Sequence, residues 1–177
     1  MARSTTKVDM VPLRKNEPEA RTSSSVGVGK TFLATALGHI AVRRGRSVHF
    51  ERADTLLKRL KATRLDNSHD AEVRKLLRCD VLIIDDFALR PMDVTDTAEV
   101  YEIIVERHRR ASTILTSNRD PGEMLTQMAD PLLAQSAIDR LHSNAHELVL
   151  DGESYRRRQR PGIDTTHHPE PSSPSRH

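Results

Sequence analysis

The segment Val26–Thr31 (Val-Gly-Val-Gly-Lys-Thr) constrains the fold of this chain more than any other feature. A glycine-rich turn that ends in Gly-Lys-Thr and leads into an apolar helix is typical of a phosphate-binding loop. In such a loop the backbone N–H groups surround nucleotide phosphates, the lysine reaches the β- and γ-phosphates, and the threonine ligates Mg²⁺. The N-terminus of the following helix adds unpaired N–H donors and its positive dipole end. The predicted nucleotide contacts are Gly27, Val28, Gly29, Lys30, Thr31 and Phe32.

The residues before this loop depart from the pattern. The full motif G-x-x-x-x-G-K-[ST] has a glycine at position 24, where this chain has Ser24. An apolar strand should also lead into the loop, but residues 16–23 are polar and include Pro18. We therefore predict that residues 1–25 are mostly disordered and that the first core strand is missing.

A second motif, Val81–Asp86 (Val-Leu-Ile-Ile-Asp-Asp), lies further along the chain. Its apolar run suits a strand that is buried on both faces of a parallel sheet. The two acids then lie at the carboxyl edge of the sheet, where α/β folds bind ligands. We predict that Asp85 holds Mg²⁺ and that Asp86 polarises the attacking water. Many strands end in acids, but this pair in combination with Gly-Lys-Thr indicates a nucleotide-binding ancestry.

Two other polar residues are weaker candidates. Asn118 follows a predicted strand and could orient water against a γ-phosphate, but an ordinary turn explains it equally well. Arg140 lies on a predicted helix, and an arginine that a neighbouring subunit inserts into an active site stabilises transition-state charge. From the residues alone, a surface pair of Arg140 with Asp139 is the favoured interpretation.

Predicted strands alternate with predicted helices, which indicates an α/β fold with a mostly parallel sheet. Tyr101, Ala98, Ile104 and Val105 are predicted to form the inner face of the helix at 95–110. The nucleotide-binding domain is predicted at 26–155, followed by a basic and then Pro- and His-rich disordered tail at 156–177. The predicted helices are 29–44, 53–63, 71–78, 95–110, 122–128 and 131–141, and the predicted strands are 47–51, 81–84, 112–117 and 146–150.

Composition narrows the class of protein. The formal net charge is only +3, but arginines cluster at 43–46, 107–110 and 156–160, where nucleic acid binding and solvated helix ends are both open interpretations. The single cysteine, Cys79, excludes an internal disulfide and fits a reducing compartment. No apolar run is long enough to span a membrane. We expect a cytoplasmic protein that does not bind membranes.

These segments together resemble the ATP-binding domain of IstB-type transposition helpers, which are relatives of the DnaC helicase loaders in the AAA+ class. The resemblance covers residues 26–156. It implies a P-loop NTPase, AAA+-like three-layer domain, and an ATP- and Mg²⁺-dependent homo-oligomer that binds DNA and works with a transposase. The matching segments are Val26–Thr31, Asp80–Pro91, Ser112–Arg119, Asp130–Ala145 and Gly152–Tyr155.

The resemblance also implies roles for individual residues. Lys30 and Thr31 match the Walker A lysine and hydroxyl, and Asp85 and Asp86 match the Walker B pair. Asn118 matches sensor 1. Arg140 matches the arginine finger that an adjacent subunit supplies in trans. The implied catalytic residues are Lys30, Asp86, Asn118 and Arg140, and the implied metal ligands are Thr31 and Asp85.

The sequence is also compatible with other functions. Ser24 and the missing strand are compatible with a truncated, non-catalytic remnant of such a protein. The ATPase motifs alone discriminate weakly between a transposition helper and a DnaC-like helicase loader. A small-molecule kinase is disfavoured, since the sequence contains no second substrate-binding segment or lid of the expected kind.

Overall fold

The computed structural model describes residues 29–143 together with Ala145, His146 and Leu148. Predictions for residues 1–28, including Ser24 and the first core strand, and for the tail at 156–177 lie outside these residues. Most of the predicted strand at 146–150 also lies outside them. No helix in the described part of the chain is long and apolar enough to cross a lipid bilayer.

The described strands form one parallel sheet in the order β1-β2-β3. In register, Arg52 at the end of β1 lies beside Asp85 at the end of β2, and Ile84 lies beside Leu115 at the end of β3. The strands are β1 (Val48–Arg52), β2 (Val81–Asp85) and β3 (Ser112–Leu115), and the helices are α1 (Lys30–Arg43), α2 (Ala53–Thr63), α3 (His69–Arg78), α4 (Val94–Arg107), α5 (Pro121–Thr126) and α6 (Pro131–His142).

Strand β2 is buried on both faces, as its apolar sequence predicts. Ile83 packs against α1 and β3 in a small cluster with Ala34 and Ile114. Leu82 and Ile84 point to the opposite face, into a larger core formed with the other helices. Since alternate residues of a strand face opposite sides, one apolar run supplies both cores. The predicted three-layer α/β fold with a parallel sheet is confirmed.

Helix α1 approaches β2 closely because of a glycine. A Cβ atom added to Gly38 would lie 2.9 Å from Cδ1 of Ile83, which is shorter than normal contacts. The helix then ends before Gly45, whose φ of 72° is in the left-handed region that glycine tolerates.

Side-chain caps lie at the starts of helices α4, α5 and α6. Asp93 and Asp96 form a reciprocal capping box at the start of α4, and Asp120 and Glu123 form another at α5. The side chain of Asp130 accepts hydrogen bonds from two backbone N–H groups at the start of α6. These caps satisfy donors that have no partner within the helix.

The predicted inner face of α4 is only partly correct. Ile104 is buried, but Ala98 is exposed, and Tyr101 and Val105 are half-buried. The helix instead turns Val100 and Ile103 toward the core, along with four polar residues, Asp96, Thr97, Glu99 and Arg107. A search for apolar periodicity misses this face because polar side chains with partners make up much of it.

The basic segment at 107–110 is not a uniformly exposed surface. Arg107 is fully buried and donates to the carbonyl oxygens of Leu76 (2.5 Å), Cys79 (2.9 Å) and Ser112 (2.5 Å), and to Oγ1 of Thr113 (3.1 Å). Burial lowers the pKa of Arg107 below its ordinary value. The guanidinium therefore joins the end of α3 to β3, and it is not available to nucleic acid.

Candidate functional site

The first turn of α1 carries three of the predicted nucleotide contacts, Lys30, Thr31 and Phe32. Gly29 precedes the helix with a φ of 94°, a left-handed conformation that favours glycine, and its carbonyl accepts a hydrogen bond from the N–H of Leu33 at 2.9 Å. Lys30 and Thr31 are the first two helical residues. The remaining predicted loop residues, Gly27 and Val28, lie outside the described part of the chain.

Thr31 contacts the end of strand β2. Its Oγ1 donates to Oδ1 of Asp85 at 3.1 Å and to Oδ2 at 2.9 Å. Asp85 is only 3% exposed and lies at the carboxyl edge of the sheet. The structure thus brings together the two residues that were predicted as metal ligands.

The Thr31 and Asp85 oxygens fit a magnesium ion. Mg²⁺ prefers hard oxygen ligands in an octahedron with metal–oxygen distances of about 2.0–2.1 Å, which places neighbouring ligand oxygens about 3 Å apart. The observed separations of 2.9 and 3.1 Å are those of a hydrogen bond between the two side chains, and the same spacing would allow both to hold one ion. A hydroxyl and a single carboxylate leave the remaining positions to water and to nucleotide phosphate, as is usual for Mg²⁺.

The ammonium group of Lys30 lies in the field of both acids. Partial burial lowers the pKa of Lys30 below its ordinary value, while the negative charges of Asp86 and Asp85 act in the opposite direction. The lysine, the hydroxyl and the acidic pair therefore form one cluster, which we call the phosphate-site cluster (Lys30, Thr31, Asp85, Asp86).

Thr116 joins the two acids, a role that was not predicted. Its buried hydroxyl donates to Oδ1 of Asp85 and accepts from the backbone N–H of Asp86 at 3.1 Å. The backbone of Asp86 has a φ of 56°, in the left-handed region. The sequence did contain a signal for Thr116. It directly follows β3, and because parallel strands end at the same edge of a sheet, it could have been predicted to lie near Asp85.

Arg52 is a second residue that was not predicted. Its Nη2 lies 3.4 Å from Oδ2 of Asp86, and its Nε lies 3.6 Å from Oδ1 of Asp54. Arg52 is the last residue of β1 and lies in register with Asp85. Its position beside Asp85, at the carboxyl edge of the sheet, could therefore be predicted only once the strand order was known.

The remaining predicted site residues are more dispersed. Asn118 is half-buried and lies two residues after Thr116, whose hydroxyl contacts Asp85. Phe32 is 79% exposed on the first turn of α1. Exposure leaves its ring accessible to a ligand, but no described contact ties it to the acidic pair.

Arg140 is folded against its own helix. It donates to the carbonyl oxygen of Ser136 at 2.8 Å, and its guanidinium lies 5.9 Å from the ring centroid of Tyr101. The alternative surface pair with Asp139 is not formed, since that carboxylate accepts from Gln135 at 2.7 Å. Within one chain, the described contacts of Arg140 do not include the phosphate-site cluster.

Sequence comparison identifies the relatives of this chain. The family model described as IstB-like ATP binding protein matches residues 22–162. An insertion-sequence ATP-binding protein of Mycobacterium tuberculosis is 39% identical over 142 residues, which are 80% of this chain and 57% of that protein. The IS21 ATP-binding protein of Pseudomonas aeruginosa is 34% identical over 134 residues, covering 76% of this chain and 51% of that protein. The chain thus spans a little over half the length of these relatives.

Solved structures identify the fold. The DnaC helicase loader superposes with a TM-score of 0.63 at 22% identity, covering 82% of this chain and 78% of that one. AMPPCP-bound DnaA from Aquifex aeolicus superposes with a TM-score of 0.65 at 21% identity, covering 85% and 42%. The fold is therefore that of a P-loop AAA+ domain. On the strength of the family match, this chain belongs to the IstB-like ATP-binding proteins.

Proposed function

We propose that this chain is an ATPase that assists a transposase in acting on DNA. Family membership and the insertion-sequence names of the relatives support the association with transposition. The observation that carries the ATPase proposal is the contact between Thr31 and Asp85 at 2.9 and 3.1 Å, with Asp86 and Lys30 beside it.

We assign a separate role to each member of the phosphate-site cluster. Lys30 neutralises charge on the β- and γ-phosphates, and Thr31 with Asp85 holds Mg²⁺, which when bound neutralises phosphate charge. Asp86 orients and deprotonates the attacking water. Thr116 keeps the Asp85 carboxylate and the Asp86 backbone in a fixed relation, so that the metal ligand and the base are positioned together.

Two roles require groups beyond this cluster. Asn118 orients the water against the γ-phosphate from the end of β3. Arg140 comes from a neighbouring copy of the chain and stabilises transition-state charge, which makes hydrolysis depend on assembly. Its contacts to Ser136 and Tyr101 are with neutral groups, and among the described residues no carboxylate forms an ion pair with it.

A titration of the full chain with ATP and Mg²⁺ tests the proposal, with unfolding midpoint and phosphate release as two readouts. A ligand at 100 times its Kd stabilises the native state by about 2.7 kcal/mol, so the midpoint should rise. Lys30→Ala should abolish this rise, whereas Lys75→Ala, at an exposed lysine on α3, should retain it.

Asp86→Asn separates binding from chemistry. The variant should still be stabilised by ATP, but it should hydrolyse ATP about 100-fold more slowly, the lower end for loss of a general base. Asp70→Asn, at an exposed acid on α3, is the matched control and should hydrolyse normally. ATP binding without hydrolysis in the wild-type chain would favour the non-catalytic alternative, and no ATP binding would refute the proposal.

The partner is tested separately. Hydrolysis should increase when DNA and the transposase encoded by the same insertion sequence are added together, and light scattering should show that ATP promotes self-association. Stimulation by a replicative helicase in place of the transposase would instead support a helicase loader.

A further inference from the structure

The turn that follows β2, Asp86–Ala88, has an uncommon backbone conformation, and we call it the acid turn. Asp86 and Ala88 have φ values of 56° and 55°, in the left-handed region that residues other than glycine rarely adopt. Phe87 and Ala88 are each only 1% exposed and belong to the main core. Because such residues keep a left-handed conformation only where the surrounding structure fixes it, the contacts of this turn decide where Asp86 is held.

The acid turn is bonded to the segment that follows β3, Thr116–Arg119. The hydroxyl oxygen of Thr116 accepts from the backbone N–H of Asp86 at 3.1 Å, and its carbonyl oxygen accepts from that of Phe87 at 2.8 Å. The hydroxyl of Ser117 donates to the carbonyl oxygen of Phe87, also at 2.8 Å. Thr116 and Ser117 are buried, so these hydrogen bonds are stronger than they would be in water.

Arg119 reaches the far end of the acid turn. Its Nε donates to the carbonyl oxygen of Ala88 at 2.7 Å, and its backbone N–H donates to the hydroxyl oxygen of Ser117 at 3.1 Å. Ser117 and Arg119 are the two neighbours of Asn118 in the chain, and both bond to the acid turn. Asn118 is therefore held between two residues that are bonded to the turn carrying Asp86.

Asp86 and Asn118 act on the same water molecule in the proposed mechanism, so their relative position controls the rate. A displacement of about 1 Å in such an arrangement can cost about 100-fold in rate. We propose that Arg119 is a positioning residue for ATP hydrolysis, because its bond to the carbonyl of Ala88 fixes the acid turn against the segment that carries Asn118. The inference rests on the proposed function and adds a residue that acts through Asp86 and Asn118.

Steady-state hydrolysis and calorimetric binding of ATP by the full chain test this role. Arg119→Ala should lower kcat by at least about tenfold and leave the Kd for ATP within about twofold of wild type, because it misplaces groups that act on water and not those that hold phosphate. Arg74→Ala, at an exposed arginine on α3, removes the same charge and should hydrolyse normally. Arg119→Lys keeps the charge but has a methylene group in place of Nε, so it should also lose kcat while unfolding near the wild-type midpoint.

Coupling to Asn118 distinguishes positioning from a general effect on folding. If Arg119 acts by placing Asn118 against Asp86, Arg119→Ala in an Asn118→Ala background should lower kcat by less than about threefold further. Amide hydrogen exchange followed by NMR supplies a readout that needs no hydrolysis. In Arg119→Ala, the N–H groups of Asp86 and Phe87 should exchange at least about tenfold faster than in wild type, while those of α3 keep their rates.

Three results would overturn the inference. A loss of ATP affinity that matched the loss of kcat, or an undiminished loss of kcat in the Asn118→Ala background, would show that Arg119 acts through the fold as a whole. Unchanged exchange at Asp86 and Phe87 in Arg119→Ala would show that the acid turn does not depend on it. A wild-type chain that did not hydrolyse ATP would instead be a failure of the proposed function, and the exchange rates would still decide whether Arg119 holds the acid turn.

Discussion

The hydroxyl of Thr31 lies 2.9 and 3.1 Å from the two carboxylate oxygens of Asp85, although 54 residues separate them in the chain. The contact connects the first turn of α1 with the end of β2, which are the two parts of the molecule that the phosphate-binding motif and the acidic pair identified. It is therefore the most direct place to test whether the two motifs act together.

Replacing Thr31 with alanine should weaken ATP binding by about tenfold, or about 1.4 kcal/mol, when Mg²⁺ is present. The reason is that the variant loses an oxygen ligand and the hydrogen bond to Asp85. Calorimetric titration with ATP measures the effect. Thr31→Ser retains the hydroxyl and should bind nearly normally. If Thr31→Ala weakened ATP binding equally after Mg²⁺ had been removed with EDTA, the role of Thr31 as a metal ligand would be contradicted.

Thr116→Val should destabilise the protein by about 1–3 kcal/mol, because it removes the partner of the partly buried N–H of Asp86 and of one oxygen of the buried Asp85. Urea unfolding measures this change, and ATP hydrolysis should fall in the same variant. Thr116→Ser keeps both hydrogen bonds and is the matched control. If valine were tolerated without loss of either stability or hydrolysis, Thr116 would have no role in positioning the acids.

Arg107→Lys should lower the free energy of unfolding by about 3 kcal/mol. A lysine ammonium cannot reproduce the planar fork that donates to several carbonyl oxygens at once, so buried acceptors lose their partners. Thermal unfolding should show a midpoint lowered by about 10 °C. Arg109→Lys, at an exposed neighbour, should change stability by less than about 0.5 kcal/mol. Equal effects at the two positions would contradict the assignment.

Glu51 should make stability depend on pH. Burial acts to raise its pKa, but hydrogen bonds from Arg59 (3.1 and 2.7 Å) and His49 (2.9 Å) outweigh burial and lower the pKa below its ordinary value. A depressed folded-state pKa stabilises the protein above the unfolded pKa of about 4.3, and this contribution is lost as pH falls through the folded pKa.

Glu51→Gln should accordingly cost up to about 1 kcal/mol at pH 7, the range for partly exposed ion pairs. Urea unfolding of both proteins at pH 7 and near pH 3 measures the difference. The gap between wild type and variant should be narrower at the lower pH, because lowering the pH toward the folded-state pKa begins to protonate the wild-type glutamate. A gap that stayed the same at both pH values would show that the charge of Glu51 is not responsible.

Segments whose structure depends on neighbours in sequence were predicted well. Helix α2 spans Ala53–Thr63 as predicted, with Leu56, Leu57 and Leu60 buried on one face. The apolar run in β2 was correctly predicted as a strand buried on both faces. These features follow from side-chain periodicity, which the sequence displays directly. Helix α4 was less well predicted, since its buried face contains Glu99 and Arg107.

The amino-acid sequence by itself thus determined the α/β class, and it displays the Gly-Lys-Thr motif and the acidic pair, because each depends on residues that are adjacent or regularly spaced. Only the tertiary structure decided that Thr116 bridges the acids, that Arg52 reaches Asp86, and that Arg107 is buried. The contacts of Thr116 with the acids, of Arg52 with Asp86, and of Arg107 with Leu76 join residues 30 positions apart or more, and they depend on strand order and register. Strand order and register arise from packing of the whole sheet, and no local pattern encodes them.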